Sequence, residues 1–278
     1  MREDVMASQT KKTKPDLTLI IFPESFGTRN PSPFCIKAEI LMRMTGLPYR
    51  VERQSDPRVG PLGKLPALRD GDRLLGDSEL IRQYLATHYR IDFDGSLSAK
   101  QRAASHAFAR MLEERTYWTI VQSRWLDDEN WPTLRDAYFG TLPGPLKQLV
   151  PFLIRRRVRR DVRGQGLGLH SPQAIEAFAL DDLKAVADWL GDQPFMMGDQ
   201  PTTLDATVYA LLACAAPEEF DTPMREMIVN DMRLAGYLAR CDTLWFSAQK
   251  PSVKPASQPL FRGVRRPEAK GLSARSAA

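Results

Sequence analysis

Three short elements at fixed distances constrain this chain more than anything else in it: Pro31-Ser32-Pro33-Phe34-Cys35, then Leu65-Pro66, then Asp77-Ser78. The residues around them set out strands and helices in turn. Leu17-Thr18-Leu19-Ile20-Ile21-Phe22 is an apolar, β-branched run bounded by Pro15-Asp16 and Pro23, and it reads as a buried strand. Gly27, Arg29 and Asn30 make a loop before Pro31. Ser32 suits a helix N-cap, and Pro33 suits the first helical position because proline has no amide hydrogen to lose there. Apolar residues at Phe34, Ile36, Ile40, Leu41 and Met44 carry that helix to Gly46, with Pro48 beyond. Tyr49–Glu52 alternates as a second strand. Leu65–Arg69 reads as a third, turned by Asp70-Gly71-Asp72 into Arg73-Leu74-Leu75. Asp77 or Ser78 then caps a helix through Leu80, Ile81, Tyr84 and Leu85.

The order β-α-β, a connection, then β-β-α is that of an α/β thioredoxin-like domain, here spanning residues 16–90. Asp92, Asp94, Gly95 and Ser96 break the periodicity between Ile91 and Ser98, and the remainder, residues 99–249, reads all-helical. A long helix is expected from about Ala99 to Leu126, with Phe108, Leu112, Trp118, Val121 and Trp125 near one face. Ser171-Pro172 opens another that ends at Gly191, and a last one spans roughly Pro223–Arg240. Thr202 and Asp205 have capping-box spacing at the start of the apolar segment Ala206–Ala216.

These motifs carry a resemblance. Ser32–Lys37, Arg43–Tyr49, Gly63–Pro66, Asp77-Ser78, Gln165–Ser171 and Phe195–Asp205 are similar to glutathione S-transferase-type proteins over nearly all of residues 16–249. Within that superfamily the chain most resembles the branch of failed axon connections and metaxin-like proteins. The resemblance implies glutathione S-transferase architecture, an α/β thioredoxin-like domain followed by an all-α domain. It implies glutathione as co-substrate, an unknown apolar electrophile as its partner, and a homodimer.

The chemistry such proteins perform requires an ionised thiol. An uncompensated helix N-terminus favours the anion, by about 0.3–1 kcal/mol when exposed and about 2 in favourable geometry. By resemblance Ser32 is the catalytic residue, donating its hydroxyl to the glutathione thiolate. Leu65, before a cis Pro66, would pair with the cysteinyl unit through its backbone, while Asp77 and Ser78 would hold the γ-glutamyl end and Lys64 the glycine carboxylate. Phe34, Glu113, Tyr117 and Arg124 are the residues expected to wall a pocket for the second substrate. Each of these residues also has a bland reading, as cap, bend or core; the joint spacing favours the site.

Ser32-Pro33-Phe34-Cys35 has the form of a Cys-x-x-Cys box with serine in the exposed position, so a dithiol cycle lacks one sulfur. Cys35, Cys214 and Cys241 read as core thiols of a reducing compartment, and three histidines offer no metal-ligand spacing. The net charge of +5 sits in the ends: residues 1–15 sum to +2 and residues 250–278 to +6, leaving the body at −3. Both ends are poor in large apolar residues and are expected to be disordered. Arg155-Arg156-Arg157-Val158-Arg159-Arg160 with Arg163 could serve a nucleic acid, a phospholipid or an acidic partner, or form a solvated helix face; the solvated face is the simpler reading, and nucleic acid is not expected. No 18-residue apolar run and no leader-like start are present, so no integral membrane association and a cytoplasmic location are expected. Two functions are compatible with these features: a transferase built on Ser32, or a non-catalytic scaffold of the same fold acting through protein partners.

Overall fold

The computed structural model describes residues 16–247 and the backbone of residues 252–257. β1 (Leu17–Ile21) is buried at every position, as a continuous apolar run demands of a central strand. It pairs in parallel with β2 (Tyr49–Gln54), Leu17 facing Tyr49, and antiparallel with β3 (Ala67–Asp70), Leu17 facing Asp70. The Asp70–Arg73 turn brings back β4 (Arg73–Gly76), so the sheet runs β4-β3-β1-β2 before its last strand. The parallel pair is joined by α1 (Pro33–Met44), and α2 (Ser78–His88) follows β4.

That last strand corrects an expectation. The segment from residue 250 was expected to be disordered for lack of apolar residues, yet β5 (Ser252–Ser257) extends the sheet in parallel along β2, Arg50 facing Ser252. The open edge of β2 offers unpaired amides and carbonyls that any extended segment can satisfy, whatever its hydrophobicity. The other expected tail residues, 1–15, 250–251 and 258–278, lie outside the described residues.

The helical domain starts at α3 (Ala99–Met111), capped by Ser98 and Gln101 in a reciprocal box. The expected long helix to Leu126 forms, with two π-helical turns in it: Leu112–Thr116 and Gln122–Leu126, flanking α4 (Tyr117–Val121). Each such turn inserts a residue and rotates the helix beyond it, so the single apolar face read at 3.6-residue spacing is redistributed. Of that face, Leu112 is fully buried, whereas Trp125 joins a separate aromatic cluster with Trp131 and Tyr138. Then come α5 (Trp131–Phe139), α6 (Leu146–Gln165), α7 (Pro172–Leu190), α8 (Thr203–Ala215), α9 (Pro223–Asn230) and α10 (Met232–Phe246).

Asp205 organises this domain. Its fully buried carboxylate accepts from the amides of Thr202 and Met196 at 2.8 Å each, and from the hydroxyls of Thr202 and Tyr237 at 3.0 Å. Burial pushes its pKa up, against the pull of those four donors.

α1 is shared between the two cores. Cys35, Ala38 and Met42 face the sheet, while Ile36, Ile40 and Leu41 pack into the helical domain around α8. Offsets of three and four residues on the sheet side, and of four from Ile36 to Ile40 with Leu41 beside it on the other, make two apolar stripes on one helix. Both domains therefore fix the direction of its N-terminus.

Candidate functional site

The site is built at that N-terminus. Ser32 is the N-cap of α1 in extended geometry, and its hydroxyl makes no capping bond. Its carbonyl accepts from the amides of Cys35 and Ile36, and its own amide donates to Oδ1 of Asn30 at 3.0 Å. The Ser32 hydroxyl acts instead on the Cys35 thiol, pulling its pKa down. Cys35 is fully buried, and desolvation pushes its thiol up to about 12, outweighing the Phe22 amide and the Ser32 hydroxyl that favour a thiolate. At neutral pH Cys35 is thus a protonated core thiol rather than a nucleophile. Cys214 and Cys241 are likewise buried, and burial pushes both up to about 12.

This geometry makes a direct prediction. With the Ser32 hydroxyl near enough to act on the Cys35 thiol, Ser32→Cys should place a second sulfur within disulfide reach. After mild oxidation the unfolded variant should show two free thiols, one fewer than the three of the parent chain. Four free thiols would mean that the side chain at position 32 points elsewhere.

The loop before Ser32 is pinned, not slack. Asn30 is fully buried and donates Nδ2 to the Phe22 carbonyl at 2.7 Å while receiving the Ser32 amide. Phe26 packs edge-on against Phe220 with ring centroids 4.9 Å apart. Arg29 pairs with Asp242 at 3.0 Å and lies over the Phe246 ring. The role of Asn30 escaped sequence reasoning; the available signal is an asparagine two residues before an N-cap, where its side chain can close an Asx turn.

Arg124 belongs to the same anchorage. Expected on the pocket wall, it is buried instead, 4.6 Å from the Phe220 ring centroid, donating to the Cys214 carbonyl and, at 3.5 Å, to that of Pro31. A guanidinium with five donors can be interred only where carbonyls and ring faces receive it, and α8 and the loop supply both. Glu113 is also interred. Its carboxylate meets Nζ of Lys37 at 2.7 Å, with Arg110 on its other oxygen. Lys37, only 3% exposed, also lies 3.6 Å from Glu79 in the first turn of α2. Desolvation of Glu79 is outweighed by Arg82 and Lys37, and its pKa falls below the ordinary range. Charges on α1, α2 and the first π turn thus converge beneath the site.

Phe34 and Tyr117 do meet across the domain boundary, half-buried, with ring centroids 4.8 Å apart and tilted edge to face. Burial pushes the Tyr117 phenol up to about 12, so it stays protonated. The Leu65-Pro66 peptide is cis, with Leu65 buried and Lys64 exposed. Gly60 lets this segment close: a Cβ there would stand 2.0 Å from the Lys64 carbonyl oxygen.

Asp77 is exposed and caps α2, accepting from the amides of Glu79 at 2.8 Å and Leu80 at 3.2 Å; Ser78 is buried beside it. Its φ of 71° is a left-handed conformation that a residue with a side chain adopts at a cost of about 1–3 kcal/mol. Asp77→Asn retains the cap and removes the charge. It should leave the melting temperature nearly unchanged while weakening a ligand with a cationic amine by about tenfold or more. Calorimetric titration checks this; unchanged affinity would remove Asp77 from the site.

A thioredoxin-like core with a helical domain packed on its first helix defines the glutathione S-transferase architecture. The comparisons agree. Residues 33–130 match the glutathione S-transferase N-terminal domain, and residues 179–241 match the glutathione S-transferase C-terminal domain. The chain belongs to the glutathione S-transferase superfamily.

It is 32% identical to an isoprene-epoxide–glutathione S-transferase of Rhodococcus over 230 residues, covering 81% of this chain and 97% of that one. Failed axon connections of Drosophila melanogaster is 31% identical over 82% of this chain, and human metaxin-1 30% over 78%. The chain spans only 60% and 48% of those two relatives. A crystal structure of a glutathione transferase from Phanerochaete chrysosporium shares the fold with a TM-score of 0.55 at 18% identity, covering 82% of this chain and 96% of that one. Among the described residues no cluster could hold a metal ion, and no helix is long and apolar enough to cross a membrane.

Proposed function

We propose that this chain binds glutathione at the N-terminus of α1 and transfers its thiol to an electrophilic carbon. One observation carries the reading: the Ser32 hydroxyl stands at a helix N-cap without capping the helix. With Cys35 protonated, its S–H can donate to Ser32 Oγ, which leaves the hydroxyl hydrogen free to point outward at a thiolate. The helix terminus favours the same negative charge. Asp77 and Ser78 then take the amino-acid end of the tripeptide, the Leu65 backbone its centre and Lys64 its glycine carboxylate. The Phe34–Tyr117 pair offers an apolar wall for the electrophile.

Small epoxides are the class to test first, given the Rhodococcus relative's name and its near-complete coverage. The sulfur would form a bond to one ring carbon, the C–O bond would break, and the alkoxide would take a proton from water. Calorimetry with glutathione, followed by mass spectrometry after adding a small alkene oxide, tests the reading. Binding in the millimolar range or tighter, with a product equal in mass to the sum of both reactants, supports it. No binding at millimolar tripeptide overturns it. The scaffold reading is favoured by a different fact, that the Ser32 hydroxyl already acts on a protein group, the buried Cys35 thiol.

A further inference from the structure

α6 carries none of the residues of the proposed site. Its inner side is Pro151, Ile154, Val158 and Val162, and Arg155 turns inward with them. Arg155 donates to the carbonyls of Trp125 and Leu126 at 2.9 and 3.0 Å, pairs with Asp128 at 2.6 Å and stacks over Trp131. It is therefore structural. The outer side is different. Leu149, Phe152 and Leu153 are 52%, 61% and 52% exposed, a run of large apolar side chains in water. At helical offsets of three and four the same face continues as Arg156, Arg160 and Arg163, with Arg159 beside it, all exposed. Arg157 and Arg160 share Asp161 at 3.7 Å, Arg159 acts on Asp128, and among the described residues no ion pair is seen for Arg156 or Arg163. One helix face thus presents an apolar turn at one end and an excess of cations over acids at the other.

We propose that α6 docks this protein on an anionic phospholipid surface, the Leu149–Leu153 turn entering the acyl boundary and Arg156, Arg160 and Arg163 meeting the headgroups. The pairing of apolar insertion with cation–lipid attraction is the chemistry of interfacial helices. Charge complementarity chooses this occupant. A second copy packed in parallel would bring two arginine clusters together, and one packed antiparallel would set each apolar turn against the other's arginines. A nucleic acid would use the arginines but leave Leu149, Phe152 and Leu153 in water. Because the two kinds of residue succeed one another along the axis, the helix should enter tilted, its first half deeper.

The test is vesicle flotation of the full chain. Phosphatidylcholine vesicles containing phosphatidylserine should carry the protein, and pure phosphatidylcholine vesicles should carry little. Arg156→Glu/Arg160→Glu/Arg163→Glu should lower partitioning about tenfold or more. Phe152→Ser/Leu153→Ser should also lower it, and both variants should melt as the parent does because the changed side chains are exposed. Since the cysteines are buried, a polarity-sensitive dye can be placed on Phe152→Cys or on Gly164→Cys, where a Cβ meets nothing within 4 Å. The dye should shift to the blue on anionic vesicles at position 152 and little at 164. Failure to float overturns the proposal, as does flotation that survives both sets of substitutions, which would assign it to the basic chain ends. Arginine-dependent retention on duplex nucleic acid without vesicle binding would assign the face to that partner instead.

Discussion

Lys37→Met is expected to lower the melting temperature by roughly 10 °C. Nζ of Lys37 is 2.7 Å from Glu113 and 3.6 Å from Glu79, and the side chains of Lys37 and Glu113 are 3% and 7% exposed. Methionine fills the volume of the lysine stem but leaves the Glu113 carboxylate with Arg110 as its remaining cationic partner. Removing one member of a buried pair costs about 3–5 kcal/mol, because the stranded charge has no water to turn to. For a chain of this size each kcal/mol moves the midpoint by about 2–4 °C. Lys37→Met/Glu113→Leu should recover more than half of the loss, since an apolar pair of similar volume carries no desolvation cost. Thermal melts of the three proteins decide it. A single variant melting with the parent would show that Glu113 finds other solvation, and that the charge cluster does not tie the domains.

Ser32→Ala should reduce the rate of thiol transfer by about 100-fold or more and leave glutathione affinity nearly unchanged. A lone donor aimed at reacting charge is worth about 10²–10³ in rate when its partner sits in a preorganised site. The tripeptide's affinity would come from elsewhere, from Asp77, Ser78 and the backbone at Leu65. Stability should hold, since the hydroxyl makes no capping bond to be lost. Steady-state kinetics with varied glutathione separates the two effects: a fall in kcat at constant KM is the expected pattern. A rise in KM alone would make Ser32 a binding contact and return the source of thiol activation to the helix terminus.

Much of the thioredoxin-like half was legible in the sequence because its signals are local. β1 is a continuous apolar run, Pro33 fixes the start of α1, and the Asp-Gly pair at 70–71 makes the hairpin; in the helical half Thr202 with Asp205 announces α8 in the same local way. The three motifs at 31–35, 65–66 and 77–78 were legible as local structure for the same reason, a helix cap, a cis proline and a second helix cap. The hidden parts depend on partners distant in sequence. Lys37 looks like a polar position on an amphipathic helix until Glu113, 76 residues away, is placed against it. Arg124 and Glu113 carry the residue types of a pocket wall, and only the π turns and the packing of α8 show them interred. β5 has no strand signal of its own; the edge of β2 supplies it.

The most direct measurement is the acidity of the glutathione thiol on the protein, followed by ultraviolet thiolate absorbance across a pH titration. If Ser32 and the α1 terminus stabilise the anion, the bound thiol titrates below free glutathione in the parent chain, and Ser32→Ala moves it back toward the free value. Glutathione that binds with its thiol acidity unchanged, or a shift that Ser32→Ala leaves intact, would contradict the account.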